Sequence, residues 1–211
     1  MRVGEQLAER SFPGWTWQRA DMRDAFETTA DLVTATYALG ELDGAEARDV
    51  ATRAWEATTG CLLVVEPGTP AGFALIRDVR DHLIREGATL VAPCPNAAAC
   101  PIAGDDWCHF AARVNRSALH RQLKVAERPF EDEKFSYVVF ARQPDVHRAA
   151  GRIVRRPVHR RRFVELYVCR AGRIERTGLG RSHPGYAEAS KLSWGAAVPE
   201  DVLDPSAHGG G

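Results

Sequence analysis

The chain has 211 residues, 45% of them hydrophobic and 27% charged, and its 28 basic side chains balance 28 acidic ones. That length and apolar content bury one full core with an embellishment, which excludes a disordered or fibrous chain. No basic-then-apolar leader opens it and no run approaches a membrane span, so a soluble, cytoplasmic, monomeric protein with reduced thiols and no membrane partner is expected.

Apolar runs of strand length alternate with amphipathic stretches of helical length, the pattern of an α/β domain with a largely parallel sheet of five or six strands. Candidate strands are residues 16–20, 31–36, 61–66, 88–92, 135–141 and 163–169. Residues 45–58 read as a helix with Asp43 near its cap, residues 73–86 as a helix ended by Gly87, and residues 111–126 as a third. Residues 144–157 read as a poorly packed basic connection and 204–211 as a disordered tail. A doubly wound fold cradles its nucleotide on a glycine-rich turn after the first strand. Gly178-Leu179-Gly180 has no strand before it and no helix after it, and reads as a surface turn. The chain starts with a helix-like stretch, as if the first strand and its glycine loop had been left off.

Three of five cysteines, Cys94, Cys100 and Cys108, fall within fifteen residues, two of them in Cys-Pro steps. Thiolates bind soft metals, and two prolines stiffen the loop that carries them. A closed zinc site, or a cubane cluster with every iron protein-bound, needs a fourth ligand. Cys169, at the end of an apolar run and before the turn Ala171-Gly172, is the best candidate; Cys61 opens the run Leu62-Leu63-Val64-Val65 and reads as core. The gaps of five, seven and sixty residues contain no Cys-x2-Cys knuckle. Spacing alone favours zinc as the commoner structural ion, with three inert thiols as the bland alternative. Pro93-Cys94 also offers a nucleophile for pyrimidine methylation, although neighbouring thiols would engage it in a metal site. His109 and His120 are candidate bases or ligands, weighed against ordinary structural histidines.

The neutral total hides a basic block. Residues 142–181 hold twelve arginines against Asp145, Glu165 and Glu175, a net of +9. Within it Arg155, Arg156, Arg160, Arg161 and Arg162 fall in eight residues, and guanidinium pairs bidentately with phosphate, so RNA is the expected partner. Glu131-Asp132-Glu133-Lys134 reads as an ion-paired or solvated cap before the strand at 135–141.

Several long motifs carry a resemblance. Residues 30–42, ADLVTATYALGEL, then Val65-Glu66-Pro67-Gly68-Thr69-Pro70-Ala71-Gly72-Phe73, Ala92-Pro93-Cys94-Pro95, Trp107-Cys108-His109-Phe110, Arg155-Arg156-Pro157, Cys169 and Lys191-Leu192-Ser193-Trp194-Gly195 follow one another as in the methyltransferase-like protein 17 family. The chain resembles that family over nearly its whole length. The resemblance implies a class I methyltransferase-like, Rossmann-like sheet, here incomplete, with an inserted four-cysteine metal-binding element. It also implies association with the small ribosomal subunit during its assembly, and a 4Fe-4S cluster on Cys94, Cys100, Cys108 and Cys169, which moves the preferred metal from zinc to iron. Family members bind S-adenosylmethionine at the glycine loop this chain lacks. Asp21 and Tyr37 stand where the fold places residues near that cofactor, yet Thr36-Tyr37-Ala38-Leu39 lacks the two prolines of an amino-methylation motif. The expected layout is a partial core at 1–92, the cysteine-rich element and a helix at 93–134, strands with the RNA-binding arginines at 135–203, and the tail. An assembly factor for small-subunit rRNA is the resulting expectation, with an rRNA methyltransferase and a zinc-stabilised RNA-binding module as alternatives.

Overall fold

The computed structural model describes residue 6 and residues 12–117, 122–123, 128–144 and 149–203. The opening helix-like stretch, His120, most of residues 118–127 and the tail at 204–211 lie outside the described residues.

Among the described residues, ten strands form two sheets rather than one. The first contains β1 (Ala30–Thr36), β2 (Thr58–Pro67), β3 (Thr89–Ala92), β4 (Phe110–Asn115) and β5 (Phe130–Ala141), in the order β1-β2-β5-β3 with β4 also on β5. Only β1 and β2 are parallel neighbours; β5 runs antiparallel to β2, β3 and β4. The expectation of a largely parallel sheet is therefore corrected. Two sequence readings made it wrong. Residues 16–20 form no strand, and the expected helix at 111–126 begins as β4, whose hairpin with β5 is tied by Arg113–Asp132 and Arg116–Glu131 ion pairs. The acidic tetrapeptide is thus strand, not cap. The sheet remains compatible with a Rossmann-like fold because β1 and β2 connect through a helical crossover.

That crossover is α1 (Gly44–Glu56), opened by Asp43, whose carboxylate accepts from Ala45 and Glu46 N–H while Glu46 reaches back to the Asp43 N–H. The second helix, α2 (Pro70–Arg85), starts with Thr69 accepting from Gly72 N–H and ends at Gly87, whose φ of +84° suits a glycine. Both pack on one face of the sheet around Leu62, Val64, Val138 and Phe140. Strand pleat explains why Cys61 is exposed and not core: Leu62 and Val64 turn to the helices, and Cys61 turns to the opposite face.

The second sheet, of β6 (Gly151–Ile153), β7 (Val158–His159), β8 (Phe163–Arg170), β9 (Arg173–Gly180) and β10 (Ala197–Val198), is antiparallel throughout, in the order β10-β6-β8-β7 with β9 on β8. Ile153, Val164, Leu166, Val168 and Leu179 form its core with Ala189 and Val202 from the short helices α3 (Tyr186–Ala189) and α4 (Glu200–Leu203). Two expectations change here. The connection at 144–157 contains β6 and is well packed in its second half, and Gly178-Leu179-Gly180 belongs to β9 with Leu179 buried, not to a surface turn. The hairpin at Ala171-Gly172 stands, with φ of +48° and +76° in the two-residue loop between β8 and β9.

Pro67-Gly68-Thr69-Pro70-Ala71-Gly72 makes the tight passage from β2 into α2. A Cβ on Gly72 would lie 2.0 Å from the Pro67 carbonyl oxygen, whereas one on Gly44 would meet only the tip of Arg48 at 3.8 Å. Backbone cannot yield as a side-chain end can. Gly72→Ala is expected to destabilise the fold by about 1–3 kcal/mol or more, while Gly44→Ala changes stability by less than about 1 kcal/mol. Urea unfolding of the two variants beside the parent checks this; equal midpoints for Gly72→Ala and the parent would contradict the packing account.

Candidate functional site

Residues 93–109 join β3 to β4 without regular structure, so their carbonyls need donors from elsewhere. Side chains supply them. Arg80 on α2 donates to the Asn96 carbonyl at 3.2 Å and the Ala98 carbonyl at 2.6 Å, and Arg77, one turn earlier, to the Ile102 carbonyl at 3.2 Å. Ser136 on β5 donates to the Cys108 carbonyl at 2.8 Å, and the Trp107 indole N–H to the Gly68 carbonyl at 3.0 Å. From the second sheet, Arg152 donates to the Pro93 carbonyl at 2.8 Å, and Arg155 grips the Asp106 carboxylate. Both sheets therefore hold this loop.

Cys94, Cys100, Cys108 and Cys169 all line one cavity, together with Arg80 and Tyr137. Cys169 reaches it by strand alternation: Val164, Leu166 and Val168 turn into the second core, which leaves Cys169 on the other face of β8. Gly172, in the hairpin loop that follows β8, packs against Ala98, where a Cβ on the glycine would lie 3.6 Å from the alanine Cβ. Cys61 is exposed and does not line the cavity. The cavity's free volume is about 40 Å³. That is far below the roughly 300–1,000 Å³ of a pocket that encloses a drug-sized ligand.

Burial pushes the Cys94 thiol up, an effect the neighbouring Arg80 guanidinium opposes. Burial also raises Cys108, reinforced by like charge on Cys94, Cys100 and Cys169, and pushes Cys169 up to about 12 with Cys94 and Cys100 adding to it. Burial thus favours the protonated thiols, whose protons a bound metal would displace. Among the described residues, no three His, Cys, Asp or Glu side chains are grouped as the ligand set of one metal ion.

The other expected site residues fall elsewhere. Asp21 is an exposed turn residue whose carboxylate accepts from the Arg23 N–H at 2.9 Å and pairs with its guanidinium. Tyr37 follows β1 at φ +53°, half-exposed, with its N–H on the Val65 carbonyl at 2.8 Å. Neither lines the cysteine cavity. His109 is stacked between Trp107, with centroids 5.2 Å apart, and the edge of Trp194 at 5.0 Å, where burial lowers its pKa. Arg156 and Arg160–Arg162 are exposed, the last three in the tight connection from β7 to β8. Arg155 is turned inward on Asp106.

Sequence reasoning missed Arg80, although a signal for it existed. Phe73, Ile76, Arg80 and Leu83 follow the spacing of one helix face, so an arginine stands inside an apolar stripe. Such a residue needs an internal partner. Arg152, counted only as part of the basic block, likewise joins the loop to the Gly195 carbonyl at 3.1 Å.

Residues 2–199 match the family model described as "Mitochondrial small ribosomal subunit Rsm22". A human relative, "Ribosome assembly protein METTL17, mitochondrial", is 30% identical over 222 residues, an overlap that covers 98% of this chain and 47% of the relative. The chain thus spans about half the length of that curated relative. The expected cytoplasmic location is corrected by these matches, since the family and the relative are both described as mitochondrial. It rested on the opening residues and on the lack of a membrane-length apolar run, neither of which fixes a compartment for a chain that spans about half of its relative. With the match running through β1 to β10 and the whole cysteine loop, the chain belongs to the family of the mitochondrial small ribosomal subunit protein Rsm22, to which its resemblance to methyltransferase-like protein 17 had pointed.

Proposed function

We propose that this chain acts in assembly of a small ribosomal subunit, that it contacts the subunit's RNA through Arg156 and Arg160–Arg162, and that Cys94, Cys100, Cys108 and Cys169 hold a 4Fe-4S cluster. The observation that carries this reading is the gathering of four thiols from two sheets around one cavity. A single zinc holds four sulfurs about 4 Å apart, whereas a cubane cluster spreads its cysteine sulfurs to roughly 6–7 Å. Four thiols on one cavity can serve either group, and the family resemblance favours the cluster. Bound there, the cluster would supply a cross-link between the cysteine loop and β8, in a structural role.

The family match and the printed name of the human relative support the ribosomal half of the proposal. The exposed guanidinium groups support RNA as the ligand, because phosphate oxygens accept from guanidinium in pairs. An rRNA methyltransferase draws less support: Asp21 and Tyr37 are exposed and outside the cavity. Calorimetry with S-adenosylmethionine separates the two readings, and micromolar affinity of this chain would favour the enzyme.

Anaerobically purified protein is expected to contain iron and acid-labile sulfide and to absorb broadly in the visible. Cys169→Ser loses that absorbance and is destabilised, whereas Cys61→Ser keeps both colour and stability. Stoichiometric zinc without iron would replace the cluster by the zinc alternative. Replacing Arg160, Arg161 and Arg162 together with Ala is expected to weaken rRNA binding while leaving the melting temperature unchanged. Loss of about three phosphate contacts should flatten the slope of log K against log salt by roughly two to three. An unchanged affinity and slope would leave this turn as a solvated surface.

A further inference from the structure

Arg80 is 4% exposed and is, with Glu66, one of two charged side chains buried among the described residues. A guanidinium in that position is costly unless its charge and all five N–H groups find partners. Its pairing is incomplete. Two carbonyls of the cysteine loop and the half-exposed Asp81 engage the terminal nitrogens, and the Cys94 thiol lies within the guanidinium's hydrogen-bonding reach, while the buried Nε–H has no acceptor. The other arginines near the loop do not share this condition. Arg77 and Arg152 bind carbonyls, Arg155 binds Asp106, and none of the three has a buried orphan N–H. Arg80 lines the cavity that the four thiols line, so a fixed cation with a spare donor faces the place where four thiolates would gather.

We propose that Arg80 is a positioning residue for an anionic iron-sulfur cluster in this cavity, its Nε–H donating to a cluster or cysteine sulfur and its charge offsetting that of the four thiolates. This rests on the reading that the four cysteines hold a cluster. Hydrogen bonds to sulfur and nearby charge set how readily such a cluster accepts an electron and how firmly it is held. A cation beside it favours the more negative, reduced form. Removing that cation therefore lowers the reduction potential and weakens retention. A residue that only stapled the loop would leave the potential unchanged.

The test compares the parent chain with Arg80→Met, Arg80→Lys and Arg77→Met, all purified anaerobically. Iron and sulfide are measured first, then the midpoint potential by dithionite titration, then the rate at which a chelator bleaches the visible absorbance. The parent is expected to carry the cluster. Arg80→Met should have a lower midpoint potential and bleach about tenfold faster or more. Arg80→Lys, which keeps the charge and loses the Nε–H, should lie between the two, and Arg77→Met, whose guanidinium also lines the cavity but has no buried orphan N–H, should lower the potential less than Arg80→Met. If Arg80→Met does not load, Arg80→Lys decides: a lowered potential with faster bleaching supports the role, and parent-like values overturn it. Equal potentials and bleaching rates for the parent and a loaded Arg80→Met also overturn the role while leaving the cluster in place. A parent without iron and sulfide defeats the cluster reading itself, before any variant is compared.

Discussion

The site depends on how a stretch of irregular backbone is kept in place. Residues 93–109 have no ladder of their own, and an unpaired buried carbonyl costs about as much as a lost hydrogen bond. Guanidinium groups answer that need because one planar fork can reach two carbonyls at once, as Arg80 does at Asn96 and Ala98. Arg77 and Arg80 tie the loop to the first sheet's helix layer; Arg152 and Arg155 tie it to the second sheet. The same residues that hold the loop place positive charge around its thiols.

This division of labour separates the arginines that composition lumps together. Arg142 donates to the Trp55 and Thr58 carbonyls and lies over the Trp55 ring at 3.8 Å, so it closes the end of α1 rather than facing solvent. Arg176 pairs with Glu165, and Arg155 with Asp106. What remains exposed at the start of β8 is Arg160–Arg162. The turn and Cys169 then stand at opposite ends of one strand. At about 3.3 Å per residue they are roughly 20–30 Å apart. Any influence of the cysteine site on the basic turn passes along the backbone of β8 and its ladders with β7 and β9, not through direct contact.

Parts of this were legible in the sequence and parts were not, for identifiable reasons. The caps at Asp43 and Gly87 and the Ala171-Gly172 turn are local chemistry, readable within four residues. Strands β2, β3 and β8 came from apolar runs of the right length. The second sheet was missed because β6, β7 and β10 are two or three residues long, too short for any period to register. β4 was read as helix because Ala111-Ala112 favours one locally, and the pairing with β5 overrides that preference. Exposure of Cys61 was hidden for another reason: a run that is apolar at every position does not say which face is covered. At the site, the cysteines stood out by composition, whereas Arg80 was concealed by its type, since arginine on a helix is usually solvated.

The reach of the cysteine set along the chain has a consequence in time. Cys94, Cys100 and Cys108 are made together, and Cys169 follows sixty residues after Cys108, on a strand that needs the second sheet to be aligned. A ribosome adding about 5–20 residues per second leaves a window of several seconds in which three thiols exist without the fourth. For most of that interval the loop presents three thiols without its second-sheet anchors, Arg152 and Arg155, which follow Cys108 by 44 and 47 residues. Completion of β8 ends the window. In the proposed reading, order of synthesis leaves closure of the four-thiol site to the last-formed sheet.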